Sequence, residues 1–145
     1  MKLFQIEEPD GSPADPNAPG AAVGIDVSGP VAEVAVAIGG NAAVLADRDG
    51  FEVDLTVPPV EAAISEWQAL IERARLRAER SLARPVTHAV VVASGSAGER
   101  VQRAAAEVQL VLLRIVAPDQ IADVEPRAMA AAILAEDLAP RVAAP

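Results

Sequence analysis

The 145-residue chain has no cysteine, no tyrosine and a single histidine, His88. Disulfides and thiolate-held metals are excluded, and so is a zinc or iron site built from several imidazoles. Aromatic residues make up 2% of a chain that is 52% hydrophobic. Such a core rests on Ala, Val, Leu and Ile at close range rather than on large rings. Positive charge is scarce in the first third: residues 3–47 contain no Lys or Arg and carry seven acids. With a net charge of -9, electrostatics oppose nucleic acid and anionic membrane surfaces as partners. No apolar run approaches the ~20 residues of a membrane-spanning helix. The first residues show no basic stretch leading into an apolar one, so the expectation is a cytoplasmic protein without a membrane span.

What is present divides into three parts: an acidic, Pro-rich arm over residues 1–22, one domain over residues 23–138, and a disordered tail over residues 139–145. Residues 1–6 (MKLFQI) are apolar enough to add an edge strand or act as a docking peptide. Residues 7–22 hold four acids and Pro9, Pro13, Pro16 and Pro19, leaving little to bury.

The domain opens on residues 23–45, VGIDVSGPVAEVAVAIGGNAAVL. Its pattern predicts strands over 22–27, 31–38 and 42–46, with Gly39-Gly40-Asn41 turning a hairpin. Residues 51–57 alternate Phe51, Val53, Leu55 and Val57 with polar side chains, which predicts a strand with one wet face. Pro58-Pro59 closes it and can open a helix over 60–82 whose apolar stripe includes Trp67. The second half of that helix bears Arg73, Arg75, Arg77 and Arg80, with Arg84 beyond. Cations there complement the negative end of the helix; Glu72 and Glu79 interrupt any anion-binding patch.

Residues 86–93 and 109–116 read as buried strands, with His88 at the start of the first. Between them, Ser96 and Glu99 fit a capping box opening a helix over 97–108. A helical turn over 119–123 and an Ala-rich helix over 126–138 complete the order βββ(β)αβαβα. That order predicts an α/β domain, a mixed sheet flanked by helices.

Two constellations could carry chemistry. Asp26 presents a carboxylate where the first strand meets the Ser28-Gly29-Pro30 turn, and Asp119, Asp123 and Glu125 also fall near element ends, where converging acids can hold magnesium. The turn containing Gly95, Ser96 and Gly98 joins a strand to a helix and could cradle an anion through backbone N–H groups, with Glu99 opposing it. Ser96 as a hydrolytic nucleophile lacks the full elbow pattern, because Ser94 replaces the first glycine.

These stretches resemble the first lobe of the actin-like ATPases, above all the seventy-kilodalton heat-shock chaperones. GIDVSGPVAEVAVAIGGNAAVLADRDG is similar to their first phosphate-binding hairpin. ERSLARPVTHAVVVASGSAGERVQRAAAEVQLVLLRIV is similar to their long helix, strand, helix and strand, and VEPRAMAAAILA to the following helix. The resemblance implies a ribonuclease-H-like (actin-like) fold, and ATP with magnesium as the family's ligand. By the same resemblance Asp26 takes the place of the acid that positions the metal, and Ser28 and Gly29 lie in the phosphate-binding turn. Gly29 and Pro30 stand where threonines are usual, and Pro30 has no N–H for a phosphate. The stretch from Gly50 to Pro59 is too short for the insertion that carries the family's catalytic lysine, and no stretch here resembles the second lobe.

The expectation is therefore a non-catalytic binding or scaffold module without a cofactor, acting on a protein partner or by self-association. Small Holliday-junction resolvases share the fold and offer the alternative. In that reading Asp26 and Glu125 would be metal-binding acids of a nuclease, against an acidic surface poorly suited to DNA.

Overall fold

The computed structural model describes residues 21–46, 53–121 and 126–139. The arm before Ala21, the expected tail beyond residue 139 and the acids Asp123 and Glu125 lie outside the described residues. The chain is an α/β domain with a five-stranded mixed sheet and three α-helices.

Strands β1 (Ala21–Asp26), β2 (Glu33–Ile38) and β3 (Asn41–Val44) form an antiparallel meander. β4 (Val86–Val92) and β5 (Val111–Val116) extend it on the other side of β1 in parallel. The sheet order is β3-β2-β1-β4-β5. The parallel strands need crossovers, which helices α1 (Ile64–Leu82) and α2 (Gly95–Glu107) supply. Helix α3 (Arg127–Leu138) follows a 3₁₀ turn at Pro118–Ile121.

The side-chain pattern explains the layers. On β1, Val23 and Ile25 enter the larger core with Trp67, Leu70 and Ile71 of α1 and Val101 and Ala104 of α2. The opposite face belongs to α3, whose Ala128, Ala131, Ala132 and Ala135 meet Val90, Val92, Ala35 and Ala37. The second half of β4, Ala89–Val92, is covered on both faces, which is why it reads as a continuous apolar run. Gly24 shows how closely α3 lies on the sheet. A Cβ there would stand 2.3 Å from the Ala132 nitrogen and 2.4 Å from the Ala128 oxygen, backbone atoms that have no rotamer to yield.

Three local expectations need correction. The alternating segment before Pro58 forms no strand among its described residues. Val31 and Thr56 make one isolated bridge, flanked by Ala32 N–H to Leu55 O at 2.8 Å and Val57 N–H to Pro30 O at 2.9 Å. Alternation predicted the faces correctly, since Leu55 is buried between exposed Asp54 and Thr56. The Thr56 N–H points away from this pairing, onto Asp54 Oδ1 at 2.9 Å, and Pro59, where the next ladder donor would stand after Val57, has no N–H.

The first helix starts at Ile64, not at residue 60: Pro59 O accepts from Ala62 N–H in a separate turn, and Ala63 is extended. The second helix starts at Gly95, so Ser96 lies inside it and makes no capping box with Glu99. Ser94 holds the cap position through its backbone, with no side-chain bond.

Candidate functional site

The site singled out by sequence is the carboxyl end of β1. Asp26 is its last residue and is 7% exposed, the one buried polar or charged residue among those described. Its Oδ1 accepts the Ser28 N–H at 2.9 Å and the Ser28 hydroxyl at 2.5 Å. The chain makes the same arrangement at Asp54, whose Oδ1 accepts the Thr56 N–H at 2.9 Å and hydroxyl at 2.6 Å. Both are Asp-x-Ser/Thr turns in which the acid satisfies the backbone two residues on. The two Thr56 bonds, chiefly the hydroxyl's, hold the Asp54 carboxyl below its usual range, with the Arg73 charge adding to them.

The backbone of the Asp26 turn is largely engaged. Val27 N–H donates to Val92 O at 3.0 Å, Ser28 N–H donates to Asp26, and Pro30 has no N–H while its carbonyl accepts from Val57. Ser28, Gly29 and Pro30 are exposed, and a Cβ on Gly29 would meet nothing closer than Val31 O at 3.9 Å. The glycine is not required by close packing. A phosphate cradle needs several converging free N–H groups, and the donors of this turn do not fit one.

Residue pairing adds an acid that sequence reading did not single out. Glu33 is the partner of Asp26 across β1 and β2, so both side chains stand on one face of the sheet. Contacts of Gly24 with Ala128 and Ala132, and of the Ala22 cluster with Ala131 and Ala135, make α3 antiparallel to β1. The start of α3 thus lies toward the Asp26 end, with Arg127 Nε buried and without a hydrogen-bond partner. Glu125 precedes this start in sequence but lies outside the described residues. Among the described residues, no three acids or histidines come together in a group able to hold a metal ion.

The second candidate, at the start of α2, separates into unlike parts. Gly95 and Ser96 are exposed at the helix start. Gly98 is buried, its N–H donates to Ser94 O at 2.8 Å, and a Cβ there would stand 3.3 Å from Ile115 Cγ2. Gly98 therefore lets α2 approach β5 and offers no donor to an anion. Asp119 lies in the 3₁₀ turn. His88 is half-buried, with Nδ1 2.6 Å from the Thr87 hydroxyl, and burial pushes its pKa down.

The arginines of α1 serve structure as well as charge. Arg75 Nη2 donates to Val108 O at 2.6 Å, tying α1 to the end of α2, and Arg77 Nη2 donates to Val53 O at 3.2 Å. Glu79 Oε2 accepts from Val86 N–H at 2.9 Å, and Glu72 pairs with Arg75 at 3.6 Å. No helix among the described residues is long and apolar enough to cross a membrane.

Comparison with protein-family models and with curated proteins returns no match to this chain.

Proposed function

We propose that the chain is a non-catalytic binding or scaffold module built on a degenerate ribonuclease-H-like, actin-like lobe related to the heat-shock chaperone ATPases. The observation that carries the reading is the pair of equivalent turns. Asp26 bonds Ser28 in the same geometry by which the exposed Asp54 bonds Thr56. The carboxylate that would hold metal and water in an ATPase serves here as the acceptor that closes its own turn. Support for the fold comes from the strand order β3-β2-β1-β4-β5, an antiparallel meander continued by parallel crossovers. ATP and magnesium do not fit the residues present, because Pro30 and the engaged N–H groups remove the donors a phosphate needs. Function then rests on surfaces: a protein partner or a second copy, reached through a sheet edge, the arginine face of α1 or the arm. A binding titration with magnesium and ATP tests the reading, and micromolar affinity that disappears in Asp26→Ala would overturn it.

The pairing of Asp26 with Glu33 favours one other reading, a metal-dependent nuclease of the resolvase kind with Glu125 as a further acid. Cleavage of branched DNA, lost in Asp26→Asn, would establish it. Absence of DNA binding at low salt would remove it.

A further inference from the structure

Helix α3 is apolar on the side that faces away from the sheet. Ala128, Ala131, Ala132 and Ala135 are buried against the strands. Ala130, Ile133 and Asp137 follow one another at spacings of three and four residues on the opposite stripe, with Ile133 39% exposed. A helix lying on a sheet ordinarily carries charged and polar side chains there, yet residues 128–135 (AMAAAILA) hold none. The charges stand at the two ends, Arg127 in the first turn and Asp137 in the last, with no acid in the first turn and no base in the last. Each therefore opposes the dipole of its own helix, which is positive at the start and negative at the end. Glu136, beside Asp137, is held by the Gly39 and Gly40 N–H groups. Arg127 Nε is buried without a hydrogen-bond partner.

We propose that the outer face of α3 binds a second copy of this chain, helix against helix, antiparallel across a two-fold axis. This contact rests on the scaffold reading and deepens it by naming the surface and the occupant. The charges select that occupant. A two-fold antiparallel pair sets residue 127 of one helix opposite residue 137 of the other, at both ends. Arg127 then meets the partner's Asp137, and each charge lies beside a helix end whose dipole it suits. Near the axis the same pairing brings Ala130 beside the partner's Ile133, a small side chain against a large one. A parallel pair would set like charges together at both ends. One helix face falls at the small end of interfaces, below ~1,200 Å², where transient complexes are found. The net charge of -9 repels copies at a distance, but ~0.15 M salt screens that repulsion beyond ~8 Å, and the end charges meet well inside it.

Sedimentation of the full chain in ~0.15 M salt tests the pair, with circular dichroism confirming that each variant folds. The native chain should show a concentration-dependent equilibrium between monomer and dimer. Ile133→Glu, at an exposed position, should abolish it. Arg127→Asp and Asp137→Arg should each weaken it by about tenfold, because both end pairs turn repulsive. Each reversal suits its own helix end, so the loss would not come from a weaker fold. The two single variants mixed together, and the double variant Arg127→Asp, Asp137→Arg, should recover the native strength. A monomer at every concentration up to about 1 mM would overturn the proposal. So would a dimer that survives Ile133→Glu, which puts the contact on another face, and a dimer insensitive to both charge reversals, which removes the antiparallel pairing. None of these results bears on the Asp26 turn, which the titration with magnesium and ATP tests by itself.

Discussion

Glu136 joins the far end of α3 to the β2–β3 hairpin: its Oε2 accepts from Gly39 N–H at 2.6 Å and its Oε1 from Gly40 N–H at 2.9 Å. Both glycines have positive φ, 60° and 83°, the conformation a two-residue hairpin turn needs and other residues resist. The turn would be made without Glu136; its attachment to α3 would not. Glu136→Ala is expected to destabilise the domain by about 1 kcal/mol, the scale of such exposed hydrogen bonds. Amide exchange at Gly39 and Gly40 should speed up more than elsewhere. Unchanged exchange there would show that the carboxylate does not hold the turn.

Gly24→Ala probes the contact on which the α3 face is built. Its new Cβ would meet the Ala132 nitrogen and Ala128 oxygen well inside van der Waals distance. Helix and strand must separate, so a loss of about 3 kcal/mol or more is expected, at the upper end of overpacking costs. Chemical denaturation measures it, and a variant of wild-type stability would contradict the close approach.

Ala83→Gly should act in the opposite direction. Helix α1 ends because Ala83 adopts the left-handed conformation, φ 54° and ψ 37°, with its N–H on Glu79 O at 2.8 Å, ahead of Arg84-Pro85. A residue with Cβ is strained there, so glycine should stabilise by about 0.5–1 kcal/mol after its greater unfolded-state entropy is offset. A raised thermal midpoint is the expected readout.

His88 sets a pH dependence. Burial lowers its pKa in the fold below 6.5, so the unfolded chain takes up the proton first as pH falls. The stability tied to neutral His88 is full above pH 6.5 and is lost as pH falls through the lower folded value. Asp54 titrates in a separate window below 3.8, with its contribution present above that value and lost as pH falls through the folded pKa. His88→Gln should flatten denaturation midpoints between about pH 7 and pH 5, while leaving the acid limb below pH 4 in place. An unchanged slope in the upper window would assign it to another group.

The order of elements along the chain was largely legible because each carries its own pattern: β4 as a mostly apolar segment that runs on as Ala89–Val92 between parallel neighbours, α1 as a stripe that includes Trp67. Element ends were less so. Alternation in residues 51–57 gives side-chain direction but not whether a ladder forms, and the pairing with residues 30–32 goes no further than Val57 because Pro59 has no N–H for the next rung. The capping-box pattern at Ser96 and Glu99 put the start of α2 at residue 97, and the chain begins the helix two residues earlier, at Gly95. At the candidate site, Asp26 was visible as a lone acid after an apolar run, and Ser28 completes its turn. Glu33, Gly24 and Glu136 were not visible, since each depends on pairing or on an approach between segments far apart in sequence. The Asp-x-Ser/Thr repeat at Asp26 and Asp54 was the one signal in the sequence that could have identified the turn as structural.

Whether Asp26 closes a turn or serves a ligand is tested most directly by isothermal titration of the full chain with ATP in the presence of magnesium, alongside Asp26→Ala. The native chain should show no saturable, magnesium-dependent binding. Micromolar binding that requires magnesium and is lost in Asp26→Ala would contradict this.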